Sequence, residues 1–290
     1  MADYGAQDMI ETLARVLMRR PARRAAKTVD QAVSAEPDPD RAVAQYERLA
    51  GLVAGSGAEI LWLDDRDDAL TDAHHAADIS LVTAAGAVLL YPSKPGRKKE
   101  IALHEAAYRR AGVPILGRIE APGTLEGSDC LWLDARTLLV GRGFGTNEEG
   151  VVQLAELLGP QDIDVLSYDL PYWKGEAASL TLLSLISPVS RDTALVYLPL
   201  LPAALYQFLE EWGVAMVEAP EDEFVESQGL SLQVLALSPK RVIAVEGYPK
   251  TRAVLEEAGC TVSTFSGDAL CAPGPGGPPR LVRPVLREGL

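Results

Sequence analysis

The side chains best suited to chemistry in this chain are three histidines, three cysteines and a scatter of carboxylates beside arginines. A thiol nucleophile needs an imidazole or a cation to lower its pKa, and a metal needs three or more converging ligands. His74 and His75 precede Asp78 at a spacing compatible with a metal site. Neighbouring residues of a strand face opposite ways, however, and too few ligands remain. His104 falls in a helical stretch, where a packed imidazole is the ordinary outcome. Cys130 follows Asp129 and should point to the opposite face; Cys260 lies just past a helix end; Cys271 reads as a small buried apolar side chain. The cysteines share no C-x-x-C spacing, and an odd number makes no disulfide framework. The stretch Gly141-Arg-Gly-Phe-Gly145 suggests a dinucleotide-binding turn, but Thr146 stands where the third glycine belongs and the segment follows a hairpin. Thr146 and Asn147 are better read as caps of the next helix. No phosphate-binding loop is present, so neither a cofactor nor a metal is expected.

The elements that must position these groups repeat in order rather than in residue identity. Short apolar runs at 79–83 and 88–91 form a hairpin, a helix follows at 97–111, and a third strand at 114–117. The order returns at 130–133, 137–140, 148–158 and 163–167. A third copy occupies 180–186, 194–198, 203–211 and 214–217; a fourth occupies 232–237, 242–245, 251–258 and 261–264. A last strand at 281–286 can pair with 14–18, which leads to helix 41–54 and strand 59–63. Five strand-strand-helix-strand units result, the last assembled from both termini. None could bury its apolar face alone, so residues 1–290 are expected to close as one α/β domain.

Two segments stand outside the repeat. Residues 19–40 carry Arg19, Arg20, Arg23, Arg24 and Lys27 and then Glu36-Pro-Asp-Pro-Asp40, a lid loop over one face or simply a solvated basic stretch. The proline- and glycine-rich residues 273–279 cannot be helix or central strand, so their backbone should be exposed or border a cavity.

The chain has 290 residues, 41 acidic side chains against 27 Lys plus Arg, and a formal charge of −14, which argues against nucleic acid as a partner. Its N-terminus lacks the basic flank and apolar run of a secretory signal. The longest uncharged stretch, 193–209, is broken by Pro199 and Pro202 and falls short of the ~20 residues that span a bilayer. A cytoplasmic protein without a membrane partner is expected.

One stretch carries a more specific signal. Ile119-Glu-Ala-Pro-Gly-Thr-Leu-Glu126-Gly-Ser-Asp129, followed by Thr137-Leu-Leu-Val-Gly-Arg-Gly-Phe-Gly-Thr-Asn147, resembles the signature of the guanidine-modifying penteins. The resemblance is in particular to its dimethylarginine dimethylaminohydrolase and arginine deiminase branches; amidinotransferases also belong to the superfamily. The resemblance runs from Val16 to Pro284 and implies a five-bladed, pseudo-fivefold α/β propeller of ββαβ units around a guanidinium-binding cavity. By position, it implies that Asp129 is the guanidine-binding aspartate, that Asp78 is the acid before an early strand, and that Arg97 lies where the family carries arginines near the substrate carboxylate. Leu180-Thr-Leu-Leu-Ser184 aligns with Leu-His-Leu-x-Ser, putting Thr181 at the histidine position. The tail Gly274-Pro-Gly-Gly-Pro-Pro-Arg280 puts Arg280 at that of the nucleophilic cysteine. Gly145 stands in for an arginine that can bind the substrate carboxylate. Glu176, in Trp173-Lys-Gly-Glu176, is a candidate cavity acid or an ordinary loop carboxylate.

Threonine cannot shuttle a proton near pH 7, and arginine stays protonated, so neither replaces an imidazole and a thiolate. Arg280 is expected to pair with Asp129 or Asp78 and fill the site, or to hold an anion. The expected function is therefore to bind or transform a small charged ligand, guanidino or amino-acid-derived, without thiol chemistry. The alternatives are a hydrolase of guanidino C–N bonds and a regulatory pseudoenzyme subunit, and a homodimer is possible.

Overall fold

A computed structural model of the chain describes residues 3–22, 38–64, 67, 69–176, 180–271 and 276–289. It contains five three-stranded sheets. The first pairs β1 (Thr12–Met18) with β2 (Glu59–Trp62) across α1 (Pro39–Gly55). The second contains β3 (Ser80–Thr83), β4 (Gly86–Leu89), α2 (Glu100–Arg110) and β5 (Ile115–Arg118). In the third are β6 (Cys130–Asp134), β7 (Thr137–Arg142), α3 (Glu148–Leu158) and β8 (Asp164–Asp169). The fourth has β9 (Ile186–Ser190), β10 (Thr193–Val196), α4 (Ala203–Trp212) and β11 (Ala215–Glu218), and α5 (Glu221–Ser227) follows it. The fifth has β12 (Leu235–Ser238), β13 (Arg241–Val245), α6 (Pro249–Glu257) and β14 (Thr261–Phe265). The short α7 (Pro278–Leu281) then leads into β15 (Arg283–Glu288), which pairs antiparallel with β1.

Every sheet has the same wiring. The first pair is antiparallel, joined by a tight hairpin in four sheets and formed from the two chain ends in the β15-β1-β2 sheet, and the helical crossover makes the second pair parallel. The first strands are mostly buried and the third strands half-exposed, so the first strands lie inside. Neighbouring units touch in a closed sequence: β15 against β3, β9 against β12, and β12 against β1, while the turns before β3, β6 and β9 meet one another. The fold is the five-bladed α/β propeller expected from the repeat. Each helix lays an apolar face on its sheet. In the third unit Val151, Leu154 and Leu158 pack with Leu138 and Val140, and burying each large side chain contributes ~1.5–3 kcal/mol.

Immediately before each first strand the chain makes one helical turn: Ala76–Ile79, Gly127–Asp129, Leu182–Ser184, Leu230–Leu232 and α7. The third residue of these turns is, in order, Asp78, Asp129, Ser184, Leu232 and Arg280. This fivefold-related position builds the site. Two of the turns lie where extended chain was expected, at 180–186 and 232–237. The side chains of Thr181 and Ser184 cap the first reciprocally, a local bond that an apolar run does not reveal. Likewise Leu281 belongs to α7 and not to the last strand, and the helix expected from 97 begins at Glu100, after a separate turn at Pro95–Arg97.

Of the basic segment, residues 23–37 lie outside the described residues, so the lid expectation falls on them. Arg19 and Arg20 are not lid cations. Arg19 is fully buried and donates to the carbonyls of Asp64, Asp67 and Leu70, while Arg20 pairs with Glu47 and lies 3.9 Å from the Trp62 ring centroid. In the 273–279 segment, residues 276–279 are buried, and the Gly277 N–H donates to Gln233 Oε1 at 2.8 Å. Gln233 Nε2 in turn donates to Ser184 Oγ at 3.3 Å, tying the fourth unit to the tail. Gln233→Leu removes both bonds and leaves a buried N–H unpaired. We expect unfolding in urea to cost ~1–3 kcal/mol less, with an unchanged denaturant slope.

Candidate functional site

Two charged clusters face each other across the meeting turns. In the first, Asp78 is fully buried at the end of the 76–79 turn. Its Oδ2 accepts from Arg97 Nη1 at 2.7 Å and from Arg280 Nη2 at 2.6 Å, and Arg280 Nε lies 3.4 Å from Oδ1. Arg97 also donates from Nη2 to Glu100 Oε2 at 2.9 Å and to the carbonyl of His75 at 3.2 Å. Burial alone would raise the Asp78 pKa, but the two guanidinium groups override it and hold the carboxylate far below its usual range. Two cations thus balance two carboxylates, Asp78 and Glu100, in a dry setting where each would be costly alone.

In the second cluster, Asp129 is 2% exposed. Its Oδ2 accepts from Thr146 Oγ1 at 2.6 Å and its Oδ1 from the Leu182 N–H at 3.1 Å. Burial pushes its carboxyl pKa up to about 8; the Thr146 and Leu182 hydrogen bonds lower it, and Glu126 and Asp78 raise it. Glu126, also buried, accepts from Ser93 Oγ at 3.1 Å. Gly127 is sterically required, and Gly145 packs closely on a carboxylate. A Cβ on Gly127 would lie 2.0 Å from the Ala77 carbonyl oxygen, because the 76–79 and 127–129 turns cross there. A Cβ on Gly145 would lie 3.0 Å from the Glu126 carboxyl carbon.

The structure brings Asp78, Arg97 and Arg280 together in the first cluster, and Asp129 with Thr181 beside it in the second. Arg280 pairs with Asp78, one of the two partners the sequence offered. Arg97 does not face a ligand: the residue is 3% exposed and its guanidinium is held by Asp78, Glu100 and backbone carbonyls, so it buttresses Asp78 instead. Thr181 is buried with its hydroxyl 3.1 Å from Ser184 Oγ, in a turn rather than on a strand. Glu176 is exposed on its loop and outside both clusters. Thr146 turns to Asp129 and leaves the capping of α3 to Asn147.

The remaining nucleophile and imidazole candidates are spent on packing. Burial pushes all three thiols up, that of Cys271 to about 12, and Cys130 donates to the Glu126 carbonyl at 3.8 Å. His104 Nδ1 lies 3.0 Å from Ser80 Oγ and its pKa is depressed by burial to about 3. The rings of His74 and His75 are 4.1 Å apart, so the opposite-face argument fails: they sit in turn, not strand. Among the described residues no three His, Cys, Asp or Glu side chains converge as a metal cluster, and no helix is long and apolar enough to cross a membrane. Glu100, Gln233 and Ser184 were missed by sequence reasoning. Only Glu100 left a signal, as the i+3 partner of Arg97.

No family model matches the chain. It is 27% identical over 248 residues to N(G),N(G)-dimethylarginine dimethylaminohydrolase of Streptomyces coelicolor, covering 84% of this chain and 87% of that one. The dimethylarginine dimethylaminohydrolase of Pseudomonas aeruginosa, solved as a Cys-to-Ser mutant with citrulline, superposes with a TM-score of 0.71 at 22% identity, covering 89% of this chain and 94% of that one. The N-terminal domain of ArgZ, a cyanobacterial arginine dihydrolase solved with substrate, gives 0.78 at 20%, covering 94% and 97%. The chain has the fold of these guanidine-modifying proteins, the pentein fold. On this fold the turns preceding the first strands carry the charged clusters just described, and the curated relatives are named as a dimethylarginine dimethylaminohydrolase and an arginine deiminase.

Proposed function

We propose that this pentein-fold protein binds a small cationic nitrogen compound, a guanidine or an amine, against Asp129 and Glu126, and does so without thiol chemistry. The observation that carries this reading is the seating of Arg280 on Asp78. The permanent cation Arg280 neutralises Asp78 and its charge also reaches Glu126, whereas Asp129 is held by Thr146 and Leu182 with no cation among its described hydrogen-bond partners. A carboxyl group with a pKa near 8 ionises readily when a cation arrives, because the new pair restores what burial removed. On the alignment, Thr181 and Arg280 stand where the family carries imidazole and thiol, and neither can deliver or accept the proton that amidine cleavage needs. The relatives' guanidino substrates favour the guanidinium member of this ligand class.

Incubation with arginine and with its methylated forms, followed by a colorimetric citrulline assay and by calorimetry, tests the proposal. We expect binding without citrulline. Citrulline formation that disappears in Asp129→Ala would overturn the thiol-free reading in favour of a C–N hydrolase.

A further inference from the structure

Beside the acidic cluster lies an apolar cleft of about 250 Å³, whose walls include Phe144, Leu170, Tyr172, Trp173 and Leu180, and none of whose lining residues is charged. Two chain segments join the cleft to Asp129. In the first, Phe144 lines the cleft, Gly145 abuts the Glu126 carboxyl group and Thr146 holds Asp129. In the second, Leu180 lines the cleft, and two residues later the Leu182 N–H holds Asp129. Cleft and carboxylates are therefore opposite ends of the same short loops.

The aromatic walls are exposed in a way a packed core would not leave them: Phe144 is 47% and Tyr172 77% exposed, with ring centroids 6.2 Å apart edge to face. Trp173 is anchored behind by Phe224 at 5.8 Å. Lys174 lies beside the rim, its Nζ 4.4 Å from the Trp173 ring centroid.

From this geometry, and resting on the proposed cation site, we infer that the cleft receives the apolar tail of the ligand. The ligand class is an aryl- or alkyl-substituted guanidine or amine, and not an amino acid carrying a carboxylate. A carboxylate in the cleft would lose its water among uncharged walls, whereas an aromatic tail covers exposed rings and adds their stacking.

Calorimetry at pH 8 with methylguanidine, a phenylalkylguanidine series of two to four methylenes, and arginine tests this. We expect the best phenylalkylguanidine to bind at least ten-fold tighter than methylguanidine or arginine. The ratio of phenylalkylguanidine to methylguanidine affinity should fall about ten-fold in Phe144→Ala and in Tyr172→Ala, whose exposed positions spare the fold. If methylguanidine binds and the phenyl group adds nothing, the tail inference is overturned while the cation site stands. Arginine binding tightest, with its advantage lost in Lys174→Met, also overturns it by placing a carboxylate at the rim. If no guanidine or amine binds at all, the cation site fails and the tail inference with it.

Discussion

Asp78→Ala should be the most destabilising single substitution in the charged centre. The variant keeps Arg97 and Arg280 but removes the buried carboxylate they share, so two guanidinium groups lose the anion that joins them. Removing one partner of a buried ion pair typically costs 3–5 kcal/mol, since the other charge stays desolvated. At ~2–4 °C per kcal/mol for a chain of a few hundred residues, the thermal midpoint should drop by roughly 10 °C. Arg280→Ala should cost less, because Asp78 then still holds Arg97 and the Arg280 side chain is 13% exposed. The pH dependence has a definite sign. The folded pKa of Asp78 lies well below its unfolded value near 3.9, so its contribution is complete above that value and is lost as pH falls below it. Urea denaturation of wild type and Asp78→Ala should therefore show a gap at pH 7 that narrows below pH 4. A gap of the same size at pH 3, or none at pH 7, would mean that the pair does not hold the turns together.

The same residues show what a sequence discloses and what it withholds. The repeat of ββαβ units was legible because buried first strands and amphipathic helices have different apolar periods, and helix α3 falls on the residues expected of it, Glu148–Leu158. The turns before the first strands were legible only in part. Leu180 to Ile186 is apolar nearly throughout, and whether such a run is strand or turn is settled by Thr181 and Ser184 capping one another, a contact with no periodic trace. In the site, single charged residues could be picked out, but not the direction in which each would spend its charge. The resemblance puts Arg97 where relatives carry ligand-binding arginines, yet Asp78 and Glu100 saturate it here, and Glu176, offered as a cavity acid or a loop carboxylate, lies on a loop that carries no period from which to read a face. Gln233 gave no warning: its role depends on Ser184 and Gly277 being brought together by ring closure across blades.

Asp129→Asn should stabilise the protein at pH 8 while removing its affinity for a cationic ligand. The folded carboxyl titrates at about 8 because burial disfavours its charge, whereas the unfolded one titrates near 3.9. Between these values the folded state keeps a proton that the unfolded chain has released. Stability must then decline as pH rises through that window, by up to ~1.4 kcal/mol per pH unit, and level off above 8. Asparagine removes this slope. Its Oδ1 can still accept from the Leu182 N–H, and its Nδ2 can donate to the Thr146 hydroxyl, so both contacts survive without a charge to desolvate. The variant should match the wild type near pH 4 and exceed it by several kcal/mol near pH 8, following an order-of-magnitude linkage estimate. Binding should show the opposite preference. A cation pairs only with the ionised carboxyl, so below pH 8 wild-type affinity for methylguanidine should fall about ten-fold per pH unit, with close to one proton released per ligand bound at pH 6.5. Calorimetry in two buffers of different ionisation enthalpy counts that proton. In Asp129→Asn the proton release should vanish and the affinity at pH 8 should be at least 100-fold weaker. Pairing higher stability with lost binding would mark Asp129 as a residue kept in an unfavourable ionisation state for its ligand. Binding that ignores pH and survives the substitution would reduce it to a clamp between Thr146 and Leu182.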